Sequence, residues 1–288
     1  MSFQTEGKRS ESTGGLIDTG RQLSVRSGAR EWQEYLIEAW ALGCFMVAVG
    51  LIVTLLEASS SPLHRFIPDA HMRRVIMAAA MGATAAALIY SPWGKRSGAH
   101  MNPAVTLAFL YLGKITPRHA LGYTLAQVTG GILGVYLVWT VCGELFSTPP
   151  VSFVTTVPGE RGVIIAFFAE LAMSALLMLA ILESASRPRL APYTGIFAGL
   201  LVFAFISFEA PLSGTSINPA RSLASAVPAH QWTSFWIYIV APLLGMQLAA
   251  AFFVARRTVE KVPCAKLCHS STQRCIHCGF QPVAKESR

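Results

Sequence analysis

Ser97-Gly98-Ala99-His100-Met101-Asn102-Pro103-Ala104 and Ser213-Gly214-Thr215-Ser216-Ile217-Asn218-Pro219-Ala220 are two copies of one pattern, Ser-Gly-x-x-apolar-Asn-Pro-Ala. Each copy opens a short apolar segment, 102–112 and 218–227. Asn is a strong helix N-cap, and Pro suits the first helical position because its missing N–H would have no partner there. About 11 helical residues at 1.5 Å each cover roughly 17 Å, half of a hydrocarbon core about 30 Å thick. The pattern therefore predicts two half-helices that stop at mid-membrane. The stretches leading into them, 98–101 and 214–217, cannot be helical up to the cap. Irregular backbone at that depth survives only where it lines water or packs inside protein, so a pore is expected.

The rest of the chain supplies the frame. Of 288 residues 53% are apolar and 13% charged, with a mean hydropathy of +0.48. Soluble chains carry about a quarter charged residues, which excludes an ordinary soluble enzyme and a disordered chain alike. No Asp, Glu, Lys or Arg occurs in 39–56, 75–94, 119–143, 190–208 or 222–255, and only Glu170 interrupts 162–182. Six spanning helices are predicted, near 34–56, 74–92, 118–142, 162–183, 190–209 and 232–255. The first 31 residues are polar and mixed in charge, without the apolar core of a signal peptide.

Six spans put both termini on one side of the membrane. Of the 23 Lys and Arg residues 18 fall on that side, so the positive-inside rule places both termini in the cytoplasm. The net charge of +8 is then mostly a topology signal, and nucleic acid is not an expected partner. Each half holds three spans, an odd number, so the second half is inserted upside down relative to the first. The half-helices enter from opposite faces with their N-termini meeting near the midplane. The expected organisation is a polar segment, 1–31, a channel domain, 32–257, built of inverted halves at about 32–143 and 160–257, and a Cys-rich cytoplasmic tail, 258–288.

SGAHMNPAVT at 97–106, SGTSINPARS at 213–222, Glu38 and Glu170 in spans 1 and 4, and Ala126-Gln127 in span 3 together resemble the major intrinsic protein (aquaporin) family. The resemblance covers about 34–257. It implies an all-α hourglass of six transmembrane helices plus two re-entrant half-helices, a pore in every protomer, a homotetramer, and residence in the plasma membrane.

Local physics supplies a mechanism for such a pore. Each half-helix N-terminus carries about half a positive charge and unpaired N–H groups. Asn102 and Asn218 add amide donors, beside Pro103, Ala104, Pro219 and Ala220 of the two triplets. A water passing the tips offers its oxygen to these donors, its hydrogens face away in both directions, and a proton wire is broken. The resemblance implies that Arg221 is the filter arginine at the outer constriction. Carried over by offset, the other filter positions are Gly82, Ile206 and Thr215, the first two uncertain by one residue, to Met81 or Ser207. Water-selective members of the family place an aromatic and a His where Gly82 and Ile206 stand, so a wider, less polar constriction is expected. Against that, Ser222, Ala226 and Phe235-Trp236 follow the water-type pattern rather than the glycerol-type one.

Glu38 and Glu170 are expected to accept hydrogen bonds from the N–H groups of the irregular stretches, a proton relay being the rival reading. His100 either touches the pore or is bonded within its own loop. Gly130/Gly134 and Gly195/Gly199 read as close-packing surfaces between helices. The tail carries Cys264, Cys268, Cys275 and Cys278 with His269 and His277 adjacent. In a reducing cytoplasm this spacing makes zinc a candidate, held by four thiolates or by three thiolates and one imidazole, against a flexible tail with free thiols.

The expected function is passive conduction of water with exclusion of protons and ions, requiring no cofactor. Facilitation of small neutral solutes such as glycerol or urea is the alternative, and a membrane scaffold with a closed pore a more distant one. A coupled transporter would place ionisable residues where this chain has Asn and Pro. No combination of nucleophile, base and oxyanion site occurs, so no enzyme activity is expected.

Overall fold

In the computed structural model the described residues are 16–269 and 272–281, with side chains described from residue 31 onward. Residues 1–15 of the expected N-terminal segment and 282–288 of the tail lie outside them. The chain forms α1 (Leu16–Glu57), α2 (Ala70–Tyr90), α3 (Pro103–Tyr111), α4 (Pro117–Cys142), α5 (Gly162–Ala185), α6 (Thr194–Phe208), α7 (Pro219–Ala229) and α8 (Ile237–Arg256), joined by short helices and turns. Among the described residues six helices are long and apolar enough to cross a membrane, and the stretch of α1 that does so is Glu31–Glu57. The described residues divide into two units after Gln33, and everything that follows concerns those from Glu34 onward.

Helix ends follow local chemistry. Thr116 accepts from the His119 N–H at the start of α4, with Pro117 in the first helical position. Helix α2 begins at Ala70, a turn before the apolar run, because Asp69 caps it by accepting from the Met72 N–H at 2.6 Å. The two early arginines of α2 are thereby included, and Arg73 is neutralised by Glu57 at 3.0 Å.

The inverted repeat appears in the packing. Helix α5 runs along α8, α2 along α6, and the half-helices α3 and α7 lie against α8 and α4. Close approach is set by glycine. A Cβ on Gly82 would stand 2.5 Å from the Gly199 carbonyl oxygen, and a Cβ on Gly199 would stand 2.5 Å from the Gly82 oxygen. This reciprocal contact joins α2 to α6. Gly130 and Gly134 of α4 meet Ala39 and Gly43 of α1 in the first half, and Gly245 of α8 meets Leu171 of α5 in the second. The glycines thus act as close-packing surfaces, and they bring the irregular loops inward to the bundle centre.

Candidate functional site

The two Asn-Pro-Ala triplets meet inside the bundle. Asn102 caps α3 by accepting from the Ala104 N–H at 2.8 Å, and Asn218 caps α7 by accepting from Ala220 and Arg221 at 3.1 and 3.3 Å. Pro103 and Pro219 occupy the first helical positions. The carboxamide nitrogens cross over: Asn102 Nδ2 donates to the Ile217 carbonyl at 2.8 Å, and Asn218 Nδ2 donates to the Met101 carbonyl at 2.7 Å. An amide nitrogen has two hydrogens. One from each Asn ties the half-helix tips together, and the second remains for whatever passes. Both Asn side chains line the same cavity.

The loops ahead of the tips are strained and held. Gly98, Ala99 and Met101 have φ of 112°, 53° and 50°, and Gly214, Thr215 and Ile217 have 82°, 52° and 47°. A β-branched residue such as Ile217 adopts this region only under outside constraint. The constraint is a buried carboxylate. Glu38 accepts from Ser97 Oγ and from the His100 and Met101 N–H groups at 2.7, 3.1 and 2.7 Å, with Gln127 Nε2 adding a fourth donor at 2.9 Å. Glu170 accepts from Ser213 Oγ and from the Ser216 and Ile217 N–H groups at 2.6, 2.7 and 2.6 Å. Each carboxylate oxygen is thus engaged by the loop it supports. Two tyrosines, absent from the sequence reading, complete the cradles: Tyr123 donates to the Ser97 carbonyl and Tyr238 to the Ser213 carbonyl, both at 2.7 Å. Tyr123 and Tyr238 stand at nearly the same offset from Asn102 and Asn218, a signal that laying one half on the other would have revealed.

Two cavities run end to end through this arrangement. The inner one, about 90 Å³, is lined by Asn102, Asn218, His100 and apolar residues including Val105 and Ile181. The outer one, about 220 Å³, is lined by Met81, Ile206, Thr215 and Arg221. Phe45, Val202 and Arg221 line both. Arg221 is buried, and its Nη1 has no hydrogen-bond partner among the described residues. Thr215 Oγ1 donates to Glu209 Oε2 at 2.7 Å, which places behind the filter a carboxylate the sequence reading did not include.

Gly82 is not a lining residue. It faces Gly199 across the α2–α6 seam and borders a separate apolar groove on the other side of α2. The neighbouring residue, Met81, fully buried, lines the outer cavity in its place. One residue turns a helix by about 100°, so the offset of one changed the face. The expectation of a constriction emptied by glycine falls with it, because a long flexible side chain stands there. Ile206 and Thr215 do line the cavity, and Ser207 instead bonds back to the Phe203 carbonyl.

His100 does both things anticipated for it and one more. Its ring lines the inner cavity, its Nδ1 lies 3.0 Å from Thr106 Oγ1, and its Nε2 lies 2.6 Å from the carbonyl of Ala265 in the tail. A carbonyl only accepts, so Nε2 carries the proton. The tail is folded against the loop. Leu267 N–H donates to the Gly98 carbonyl at 3.2 Å, Lys266 Nζ to the Lys95 carbonyl at 3.2 Å, and His277 Nε2 to the Ser97 carbonyl at 3.2 Å. Val262, Ala265 and Leu267 are buried, and Leu267 lines the inner cavity.

The tail gathers a different set of four from the cysteines expected. The ligand atoms of Cys264, His269, Cys275 and Cys278 all lie within 4.8 Å of one another. Cys268 is excluded: its half-buried side chain packs on the apolar core, and the adjacent, exposed His269 joins the cluster instead. The sulfurs of Cys264 and Cys275 are 3.3 Å apart, and His269 Nε2 is 3.3 Å from Cys278 Sγ. Hydrogen bonding within the first pair pushes the Cys275 thiol well down and the Cys264 thiol up. A tetrahedral zinc with bonds of about 2.3 Å to sulfur sets its ligands roughly 3.8 Å apart. Three thiolates and one imidazole at this spacing fit such an ion. Gly279 follows at φ 73°, closing a turn in which its N–H donates to the Cys275 carbonyl.

Comparison with known proteins agrees with this geometry. The major intrinsic protein family profile matches residues 25–253. A probable aquaporin NIP-type from Nicotiana alata is 34% identical over 62% of this chain and 64% of its own length. Aquaporin NIP1-4 from Oryza sativa subsp. japonica is 30% identical over 64% of this chain and 66% of its own. The chain thus spans just under two thirds of these two relatives. The lens fiber major intrinsic protein of Gallus gallus is 32% identical over 70% of this chain and 76% of its own. Among solved structures the aquaglyceroporin from Plasmodium falciparum superposes with a TM-score of 0.65 at 21% identity, covering 80% of this chain and 99% of that one, a likeness of fold.

Proposed function

The chain belongs to the major intrinsic protein family, and from that premise we propose that it is a passive channel, conducting water along an osmotic gradient and excluding protons and ions. The observation that carries this reading is the crossed pair of asparagines. Their donors and the two positive helix ends converge on one cavity whose remaining lining is largely apolar, apart from His100, Ser216 and Arg221. A water there must accept from the tips, so it cannot relay a proton through the same oxygen, and a cation meets a positive field. Arg221, with a partnerless Nη1, is the fixed donor and cation of the outer filter, completed by Met81, Ile206 and Thr215.

Passage of small neutral solutes such as glycerol or urea is the second reading. Met81 and Ile206 favour it, since two apolar side chains lining the same cavity as Arg221 suit the carbon face of a polyol. Glu38 and Glu170 act as scaffold. The protein is a homotetramer of the plasma membrane with its termini in the cytoplasm, as the bias of Lys and Arg supports. The tail binds zinc through Cys264, His269, Cys275 and Cys278. Stopped-flow light scattering on proteoliposomes, with sucrose for water and glycerol or urea for solutes, tests the reading. Osmotic shrinkage well above that of protein-free vesicles, without proton leak, is expected. Shrinkage no faster than bare lipid, both as prepared and after treatment with a metal chelator, overturns it.

A further inference from the structure

The residues that touch the channel mouth lie between the clustered donors of the tail. Ala265, Lys266 and Leu267 lie between Cys264 and His269, and His277 lies between Cys275 and Cys278. Each docking segment is therefore held at both ends by groups that one ion would draw together. What these segments do is specific. The Ala265 carbonyl takes the proton of His100 Nε2, and Leu267 N–H takes the Gly98 carbonyl. The Leu267 side chain, 4% exposed, stands in the wall of the cavity that holds Asn102 and Asn218. An apolar side chain at a narrow entrance gives water no partner, and such constrictions gate by dewetting.

A Cβ on Gly98 would lie 2.9 Å from the Ala265 carbonyl oxygen, so the loop and tail are in close contact. Apart from an ion, the tail is held there by a few hydrogen bonds to the loop and by the burial of Val262, Ala265 and Leu267, and a segment this short lacks a core of its own.

We propose that zinc(II) bound by Cys264, His269, Cys275 and Cys278 latches the tail as a plug, with Leu267 closing the tail-side mouth, and that loss of the metal opens the channel. The inference rests on the channel and zinc readings above. Binding releases to solvent whatever thiol protons the three cysteines still carry, the imidazole binds as the neutral base through Nε2, and no electrons move. The ion acts on permeation at a distance, through Leu267, and touches no permeant.

The test uses full-length protein in vesicles, zinc content by elemental analysis, and stopped-flow water permeability. One zinc per chain is expected. With the open state at 10% or less while latched, a permeant chelator raises permeability roughly tenfold or more, and added zinc reverses it. Leu267→Gly retains its zinc and is open with metal bound. The double variant Cys275→Ser/Cys278→Ser loses zinc and is open. Preparations lacking stoichiometric zinc overturn the latch. A conducting protein indifferent to chelation, or a zinc-loaded Leu267→Gly no more permeable than the parent, overturns the plug. Permeability at the bare-lipid level in parent, chelated parent and both variants alike refutes the channel reading, and the plug with it.

Discussion

Replacing Asn218 by Asp separates the structural and electrostatic duties of the half-helix tip. The cap survives, since Oδ1 still accepts from Ala220 and Arg221. The crossed bond does not, because a carboxylate oxygen would face the Met101 carbonyl where Nδ2 now donates at 2.7 Å. Losing that bond and orphaning a buried carbonyl costs about 1–3 kcal/mol. A negative charge at a helix N-terminus returns about 0.3–1 kcal/mol, so the variant folds with modest destabilisation. The effect on permeation is larger. At about 4 Å and an effective dielectric near 20, two tips of half a charge each oppose a monovalent cation by roughly 4 kcal/mol, and one carboxylate attracts it by about as much. Near-cancellation of the field is expected to raise cation and proton flux by at least about tenfold and at most about 10³, at 1.36 kcal/mol per decade. The assay pairs a trapped pH dye and an imposed potassium gradient with osmotic shrinkage of the same chelator-treated vesicles. A folded variant with undiminished water flux and no rise in ion or proton leak would show that the tips are not what excludes charge.

Gly82→Val is expected to lower thermal stability by several kcal/mol or prevent assembly, because its Cβ meets the Gly199 carbonyl at 2.5 Å, whereas Met81→Ala folds and raises glycerol or urea uptake more than water flow. Equal tolerance of both substitutions in detergent melting would reverse the assignment of α2's pore face. Tyr238→Phe leaves the buried Ser213 carbonyl without its donor and is expected to cost about 1–3 kcal/mol, read as a lowered melting midpoint with unchanged relative permeability to water and solutes, whereas Tyr123→Phe costs less because His277 Nε2 still donates to the Ser97 carbonyl. Burial pushes the Glu209 carboxyl up to about 7, despite hydrogen bonds from Ser213 and Thr215 that lower it. Its neutral form is favoured in the fold, so its contribution to stability is full below the ordinary carboxylate value near 4.5 and is lost as pH rises through 7. The melting midpoint is therefore expected to fall between about pH 4.5 and 7 by an amount that Glu209→Gln removes, and an identical pH profile in parent and variant would exclude Glu209 as the cause.

Much of this was legible because membranes restrict backbone so severely. A charge-free run of the right length can hardly be anything but a span, and Asn-Pro at the head of a shorter run specifies a capped half-helix. Glu38 and Glu170 could be assigned to scaffolding in advance because strained loops need acceptors and few groups can lie so deep. What sequence could not supply was rotation and long-range docking. Met81 and Gly82 are neighbours on opposite faces of α2, and only the packing of Gly82 on Gly199 decides which one meets the pore. His269 displaces Cys268 from the thiol cluster for a similar reason. Adjacent residues point different ways, and spacing rules do not say which one joins the cluster. Leu267 had no motif at all, since its position depends on a tail that returns to a loop remote in sequence.

The two halves divide the labour through their departures from symmetry. The shared parts are the capping asparagines, the cradling carboxylates, the tyrosines and the reciprocal glycines. They recur in both halves because both tips must be held in the same way, and a symmetric device at the centre has no preferred direction of flow. Departures occur at the ends. Three residues beyond Asn218 stands Arg221, and three beyond Asn102 stands Val105. Two residues before Asn218 stands Ser216, bonded to Ser222 at 2.6 Å, and two before Asn102 stands His100, bonded to Thr106 at 3.0 Å. The same internal link is kept, but imidazole has a second nitrogen, and that nitrogen reaches out of the loop to Ala265. A serine there could satisfy its own loop and nothing further. On the proposed reading, one end of the pore has a fixed cation that sorts what enters, and the other a donor whose partner belongs to the tail. Selectivity and control are on that reading placed at opposite mouths, so that releasing the tail leaves the discriminating groups undisturbed. If that separation holds, opening the latch changes the rate of permeation and leaves the ratio of water to solute flux unchanged. A ratio that shifts on chelation would mean instead that Leu267 and the outer filter act on the permeant together.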